Sequence, residues 1–283
     1  MAPKFSLAYL TVLGTNPMQQ TYMAARAGYD CVSIRPIYMG LPGEPNFDLA
    51  GQPEMRMALK KALDSTGVEL HDIELARIAE NDPKQYRDAF EVAASLGAKC
   101  VVSSIWIPDR AEYLDKFAAV CDMADDFGLF VGLEYVPIAE VNTLEKTIDV
   151  LRTVEAPNAG LMLDMYHLDR CGTDARQLEG LPPQWFRFCH ICDAPATAPT
   201  LFCDVRDELR ERRLYLGEGG LPVADVLNRL PEMVYSIELP HKGRWENLGM
   251  AEHAWRCLET AKEYFAQHVR PGSLMVDAAG AAV

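Results

Sequence analysis

The chain predicts a single-domain (β/α)8 barrel over residues 1–270, followed by a tail at 271–283. Three observations predict it. The 283 residues fall in the size range in which a closed α/β barrel forms one domain. Short apolar runs rich in β-branched residues alternate strictly with longer amphipathic segments, the pattern of parallel strands joined by helical crossovers. The first strand-to-helix turn, "VLGTNPMQ", carries one glycine only, whereas an open, doubly wound sheet usually begins on a glycine-rich turn.

Taken in order, the strand candidates are "FSLAYL", "CVSIRPI", "VELHDIELARI", "KCVVSSIW", "LFVGLEYV", "AGLMLDMYH", "FRFCHICDA" and "VYSIELP". The segments of helical pattern are "PMQQTYMAARAGYD", "EMRMALKKALDSTG", "KQYRDAFEVAASLGA", "AEYLDKFAAVCDMADDFG", "LEKTIDVLRTVEA", "ARQLEGL", "VADVLNRL" and "MAEHAWRCLETAKEYFAQHV". Several end at or near a glycine (Gly28, Gly67, Gly97, Gly128), the usual left-handed helix stop. Two connections are long, at 38–53 after the second strand and at about 194–222 after the seventh. Both belong on the C-terminal face of a barrel, where long loops carry binding function. The second holds "FCDVRDELRERR", a candidate short helix over the mouth.

Composition narrows the function classes. Hydrophobic residues make up 49% and charged residues 24%, a soluble globular balance. A formal charge of −14 opposes phosphate backbones and anionic lipid, and the longest basic run is "RERR", so neither nucleic acid nor membrane is an expected partner. No apolar run is long enough to span a bilayer, and "MAPKFSLAYL" lacks a leader pattern. Eight cysteines without framework spacing read as reduced thiols, which points to the cytoplasm. The expected partner is a small-molecule substrate, with a homodimer or homotetramer as the possible assembly.

The ends of strands five to eight carry the chemistry. They hold Glu134, Asp164, His190 and Glu238, with His167 and Asp193 close behind. Each lies in or just after an apolar run, and a buried carboxylate without a partner is costly. Neighbouring strand ends of a closed barrel converge, so three carboxylates and an imidazole meet there and repel one another unless a cation lies between them. One divalent metal held by Glu134, Asp164, His190 and Glu238 is the simplest solution. Such a donor set favours Mn²⁺ or Mg²⁺, with Co²⁺, Fe²⁺ or Zn²⁺ possible.

These residues resemble the sugar isomerase/epimerase group of xylose isomerase-like TIM barrels over nearly the whole chain. That group carries Glu, Asp, His and Glu at the same four strand ends and a second histidine three residues after the Asp, here His167. Glu140 matches a further acid near the substrate, and "LGEGGLPVADVL" resembles the group's Gly-Glu-Gly turn. The resemblance implies proton transfer: a metal-stabilised enediolate, Glu134 and Glu238 removing and returning the proton, and His167 contacting a substrate oxygen or orienting Asp164. Two departures stand out. Sugar epimerases of this kind carry an arginine about six residues after the strand-seven histidine, where this chain has Ala196. The superfamily's DNA-repair endonucleases need histidines at the ends of strands two and three, which "SIRPIYMG" and "ELARIAEN" lack.

Other residues keep two readings. Arg35 and Arg77 are ion-pair partners, for Glu134 or Glu80, or hold a substrate carboxylate or phosphate. Trp106 stacks on substrate or packs in the core, and His241 lines the mouth or lies in a solvated loop. Cys189 and Cys192 flank His190 on different strand faces and read as core thiols. Asp193 is a further candidate ligand, or orients a neighbour or takes a backbone amide, and Glu218 belongs to a turn. The expected function is a metal-dependent isomerase or epimerase of a small polyhydroxy carbonyl compound. The rival is a lyase dehydrating a keto-inositol or a dehydroshikimate-like acid. A non-catalytic sugar-binding barrel and an abasic-site endonuclease stand further behind.

Overall fold

The computed structural model describes residues 2–40 and 44–270, so the 271–283 tail and part of the 38–53 connection lie outside the described residues. Eight parallel strands close in sequence order: β1 (Lys4–Leu7), β2 (Cys31–Ile34), β3 (Glu69–Ile78), β4 (Cys100–Ile105), β5 (Phe130–Glu134), β6 (Ala159–Asp164), β7 (Phe188–Ile191) and β8 (Val234–Ile237). The first of them stops earlier than its pattern predicts, because Tyr9–Val12 turn into a 3₁₀ helix.

The first five crossovers are α1 (Pro17–Ala27), α2 (Pro53–Thr66), α3 (Arg87–Ser95), α4 (Arg110–Asp125) and α5 (Leu144–Val154). Their ends follow local rules. Asn16 accepts from Gln19 N at 2.9 Å with Pro17 in the first turn, and Gly28 stops α1 at φ +96°. The candidate helix "ARQLEGL" is only a 3₁₀ turn at Ala175–Leu178. The helix of that crossover forms earlier, as α6 (Met165–Arg170), directly on the end of β6. Four more helices follow: α7 (Phe202–Glu211), α8 (Val223–Leu227), α9 (Lys242–Leu248) and α10 (Met250–His268).

Strand side chains alternate between two cores. Leu7, Ile34, Ile73, Leu133, Leu163 and Ile191 share the outer core with helix residues such as Leu59, Phe90, Phe117 and Leu258, all buried. Each of these is worth about 1.5–3 kcal/mol of apolar burial. Cys100, Val102, Met162 and Phe188 form a separate inner cluster that plugs the barrel. Continuing the period of two from that plug places Glu134, Asp164, His190 and Glu238 one level higher, facing the axis. None of the eight cysteines is disulfide-bonded. Among the described residues no helix is long and apolar enough to cross a membrane.

Candidate active site

Register brings the polar strand ends together. Asp164 pairs directly with His190, and His190 with Ser236. Glu238 lies one residue past β8, its N–H still bonded to Ile191 O at 3.2 Å. His190 Nδ1 stands 3.8 Å from Glu134 Oε1, 3.8 Å from Asp164 Oδ2 and 3.4 Å from Glu238 Oε2. His167 Nε2 lies 3.7 Å from Glu134 and 3.8 Å from Asp164. All five side chains are buried.

Asp164 does two jobs with its two oxygens. Oδ1 accepts from Tyr166 N at 2.7 Å and His167 N at 3.3 Å, capping α6. Oδ2 faces the other carboxylates. The cap starts a helix at the strand end, and its first turn swings His167 back over the site.

The site also contains a residue that the sequence pattern does not reveal. Arg213, from the last residues of "RERR", is fully buried. Its Nη1 donates to Asp164 Oδ2 at 2.7 Å and to Glu238 O at 3.1 Å, and its Nε donates to Leu209 O at 2.9 Å. Nη2 lies 3.1 Å from Glu238 Oε2. The long connection that carries α7 therefore delivers a guanidinium to this site. A four-residue run of charge usually marks a solvated surface. Only the position of Arg213, four residues before Gly217, sets it apart.

A second group was open to the same argument that found Glu134. Asp72 and Glu74 are acids inside the apolar third strand and are buried. Ser33 Oγ donates to Asp72 at 2.5 Å and to Glu74 at 3.1 Å. Asp72, Glu74 and His190 offer ligand atoms within 4.8 Å of one another, as do Glu134, Asp164 and His190. The predicted partners of Arg35 and Arg77 need correction. Arg35 pairs with Glu74 at 2.7 Å, not with Glu134 or Glu80, because β2 and β3 are neighbours. Arg77 pairs with no acid among the described residues and lies over the Trp106 ring at 4.1 Å.

A cavity of about 670 Å³ opens above this layer. Glu134, His167, His190, Glu238, Arg35, Arg77 and Trp106 all line it. Arg77 does so because the β3–β4 register gains one residue between Ile73 and Ala76, which shifts the side-chain phase. Glu140 and His241 are not among its lining residues. Glu140 lies on the next loop in an ion pair with Lys146 at 3.1 Å. His241 caps α9, accepting from Arg244 N at 3.4 Å.

Asp193 binds backbone amides, one of its expected roles. It accepts from Ala194, Gly217, Gly219 and Leu221 N at 2.8–3.1 Å. A Cβ at Gly219 would come 2.1 Å from Ala194 O, so only glycine lets that turn close on the carboxylate. Glu218 points away and pairs with Arg244 at 2.6 Å. Asp193→Ala should destabilise the protein by about 2–3 kcal/mol, since several buried amides lose their acceptor. Urea unfolding and proteolysis at 214–222 check it; an unchanged midpoint would remove this role.

Burial raises the Glu134 carboxyl well above the usual range, helped by Glu238 and Asp164 and opposed by His190. Burial acts the same way on Glu238, but His190 and Arg213 outweigh it and hold that carboxyl well below. Burial lowers His190 too, yet Glu238, Glu134 and Asp164 together push it up to about 10. Burial brings His167 down to about 4, so that ring is neutral.

Glu134, Asp164 and His190 offer ligand atoms close enough together to share a divalent ion, while Glu238 lies outside that group with an oxygen 3.4 Å from His190. Glu134 Oε1 and both ring nitrogens of His190 are buried without a hydrogen-bond partner. Buried polar atoms are rarely left so. Atoms that each ligate one cation at about 2.1 Å stand about 3–3.5 Å apart, and the observed separations are only slightly larger.

A family model described as a xylose isomerase-like TIM barrel matches residues 22–261. An inosose isomerase of Bacillus velezensis is 26% identical over 255 residues, which cover 81% of this chain and 85% of that protein. The inosose isomerase of Bacillus subtilis is 25% identical, the match covering 55% of this chain and 59% of its own length. A 3-dehydroshikimate dehydratase of Pseudomonas aeruginosa is 27% identical over 228 residues, 78% of this chain but 35% of that protein. Among solved structures, the crystal structure of an IolI protein with a bound zinc atom superposes with a TM-score of 0.78 at 21% identity, covering 94% of this chain and 99% of that one.

Proposed function

The chain belongs to the xylose isomerase-like TIM barrel family, and on that premise we propose that it is a divalent-metal-dependent isomerase or epimerase of a small polyhydroxy carbonyl compound. The observation that carries this reading is the buried Glu134, Asp164, His190 and Glu238 set beneath an open cavity. Those four side chains would hold the ion, and three carboxylates with one nitrogen favour Mn²⁺ or Mg²⁺. When bound, the ion supplies positive charge that stabilises negative charge developing on the substrate oxygens.

The chain's own groups do the rest. Glu134 and Glu238 enter from β5 and β8, with β6 and β7 between them, and take and return a proton at the carbon next to the carbonyl. His167 is neutral and has a buried, unpartnered Nδ1, so it can hydrogen-bond a substrate oxygen without adding charge. Arg213 holds Asp164 and the Glu238 strand end in place. The substrate is a small molecule, and the protein works in the cytoplasm.

The match to a 3-dehydroshikimate dehydratase favours one second reading, a lyase. Both reactions begin by removing the proton next to a carbonyl, and a lyase then expels a hydroxyl. A screen of ketoses, keto-inositols and hydroxy-keto acids in deuterated solvent tests the proposal. Deuterium entering substrate or product at constant elemental composition marks an isomerase or epimerase; loss of water marks the lyase; no exchange with any compound refutes both.

Metal uptake should depend on pH. A ligating imidazole must be neutral, and without metal His190 keeps its proton up to about pH 10. Binding at pH 8 is expected to release at least about one proton, so that affinity rises about tenfold per pH unit. Calorimetry in two buffers of different ionisation enthalpy checks this; equal enthalpies would refute it. The folded value also lies above the usual 6.5, so the His190 contacts stabilise metal-free protein fully below that pH and lose their effect as pH rises through about 10.

A further inference from the structure

The cavity above the carboxylates is uneven in charge. Four arginines line it: Arg35, Arg77, Arg210 and Arg213. Two are neutralised inside the protein, Arg35 by Glu74 and Arg213 by Asp164 and Glu238. The other two have no ion pair and no side-chain hydrogen bond with any described residue. The Arg77 guanidinium lies over the Trp106 ring at 4.1 Å with its Nε buried and unpartnered. Arg210 projects from α7, in the connection over the mouth.

Leaving the half-buried Arg77 without a counter-charge has a cost, and the exposed Arg210 lines the same cavity. Burial depresses the proton affinity of each guanidinium, and Arg210 adds to the effect on Arg77. Acids are abundant in a chain of net charge −14, and Glu44 and Glu211 also line the cavity, yet among the described residues no acid forms an ion pair with Arg77 or Arg210. The Trp106 ring beside it restrains the Arg77 side chain, whose planar fork matches two oxygens of one oxyanion.

We propose that Arg77 and Arg210 together receive an anionic oxyacid group of the substrate, a carboxylate or a phosphate, in this cavity. The inference rests on the cavity being the active site named above. The bound anion bridges the barrel wall and α7, and it orients the substrate with its hydroxy-carbonyl end toward Glu134 and Glu238. A neutral sugar would leave both arginines uncompensated. The two readings of Arg77 are thereby separated, and Arg35 is an ion-pair partner.

Binding without turnover tests this independently of the reaction. Calorimetric titrations would use shikimate and D-fructose 6-phosphate as anionic probes, with shikimate methyl ester and D-fructose as their neutral counterparts. At least one anion should bind about tenfold or more tightly than its neutral counterpart, and Arg77→Gln or Arg210→Gln should each abolish that advantage. The anion that shows the advantage identifies the group as carboxylate or phosphate. Arg77→Lys keeps the charge, and thermal melting separates lost binding from lost folding; Arg210 is exposed, so its variant does not disturb the core. Equal affinity for both members of each pair, no binding of either anion, or undiminished anion binding in the Arg210→Gln variant would overturn the proposal. Anion binding that is lost in the variants while no compound exchanges protons would keep this site and remove the isomerase reading.

Discussion

Changing Glu134 or Glu238 to glutamine is expected to lower proton exchange into the substrate by about 10²–10⁴-fold, the range for losing a positioned acid or base. Glutamine keeps the size of the side chain and one acceptor oxygen but can neither take up a proton nor carry charge. The two changes should differ in their side effects. Glu238 keeps its charge against His190 and Arg213, so its loss leaves Arg213 Nη2 without the carboxylate 3.1 Å away. Glu134 is raised by burial and by its acidic neighbours, so its loss relieves repulsion and should leave metal-free protein as stable as wild type or more so. Both variants should bind metal more weakly, read by metal content after dialysis. Wild-type exchange rates in the double variant would end the proposed mechanism.

Arg213→Met should be the most damaging single change to stability. The side chain is fully buried, and its guanidinium touches Asp164 Oδ2, Cys192 Sγ and two carbonyls as well as lying near Glu238 Oε2. Methionine fills similar space but leaves buried carboxylates uncompensated, a loss of about 3–5 kcal/mol. The measurement is urea unfolding of chelator-treated protein. Added Mn²⁺ should recover part of the loss by supplying charge to the same carboxylates. Lysine should recover less than the charge alone suggests, because one ammonium cannot span the contacts of the planar fork. A shift under about 0.5 kcal/mol would show that the guanidinium does not hold the site together.

Where sequence reasoning reached the site, it did so through regular structure. Glu134, Asp164, His190 and Glu238 lie on strands whose period of two decides which side chains face the axis. Barrel closure then brings adjacent strand ends within a few ångströms whatever the loops do. Asp72 and Glu74 were legible by the same rule, as acids in an apolar strand. Glu140 and His241 lie past the strands, where spacing in sequence no longer measures distance in space. One pairs with Lys146 and the other caps α9.

Alternation of apolar period, glycine stops and the order of buried acids were enough to determine the barrel and the convergence of its four candidate ligands, because each depends on local geometry repeated around a closed sheet. Tertiary structure alone decided that Arg213 is delivered to the carboxylates, that Arg35 is consumed by Glu74, and that Arg77 lines the cavity with no ion pair among the described residues. Each outcome depends on how an irregular loop of many residues folds back, or on one extra residue in a strand. Neither leaves a periodic trace in the chain, and the favourable contact forms between residues that only the closed barrel makes neighbours.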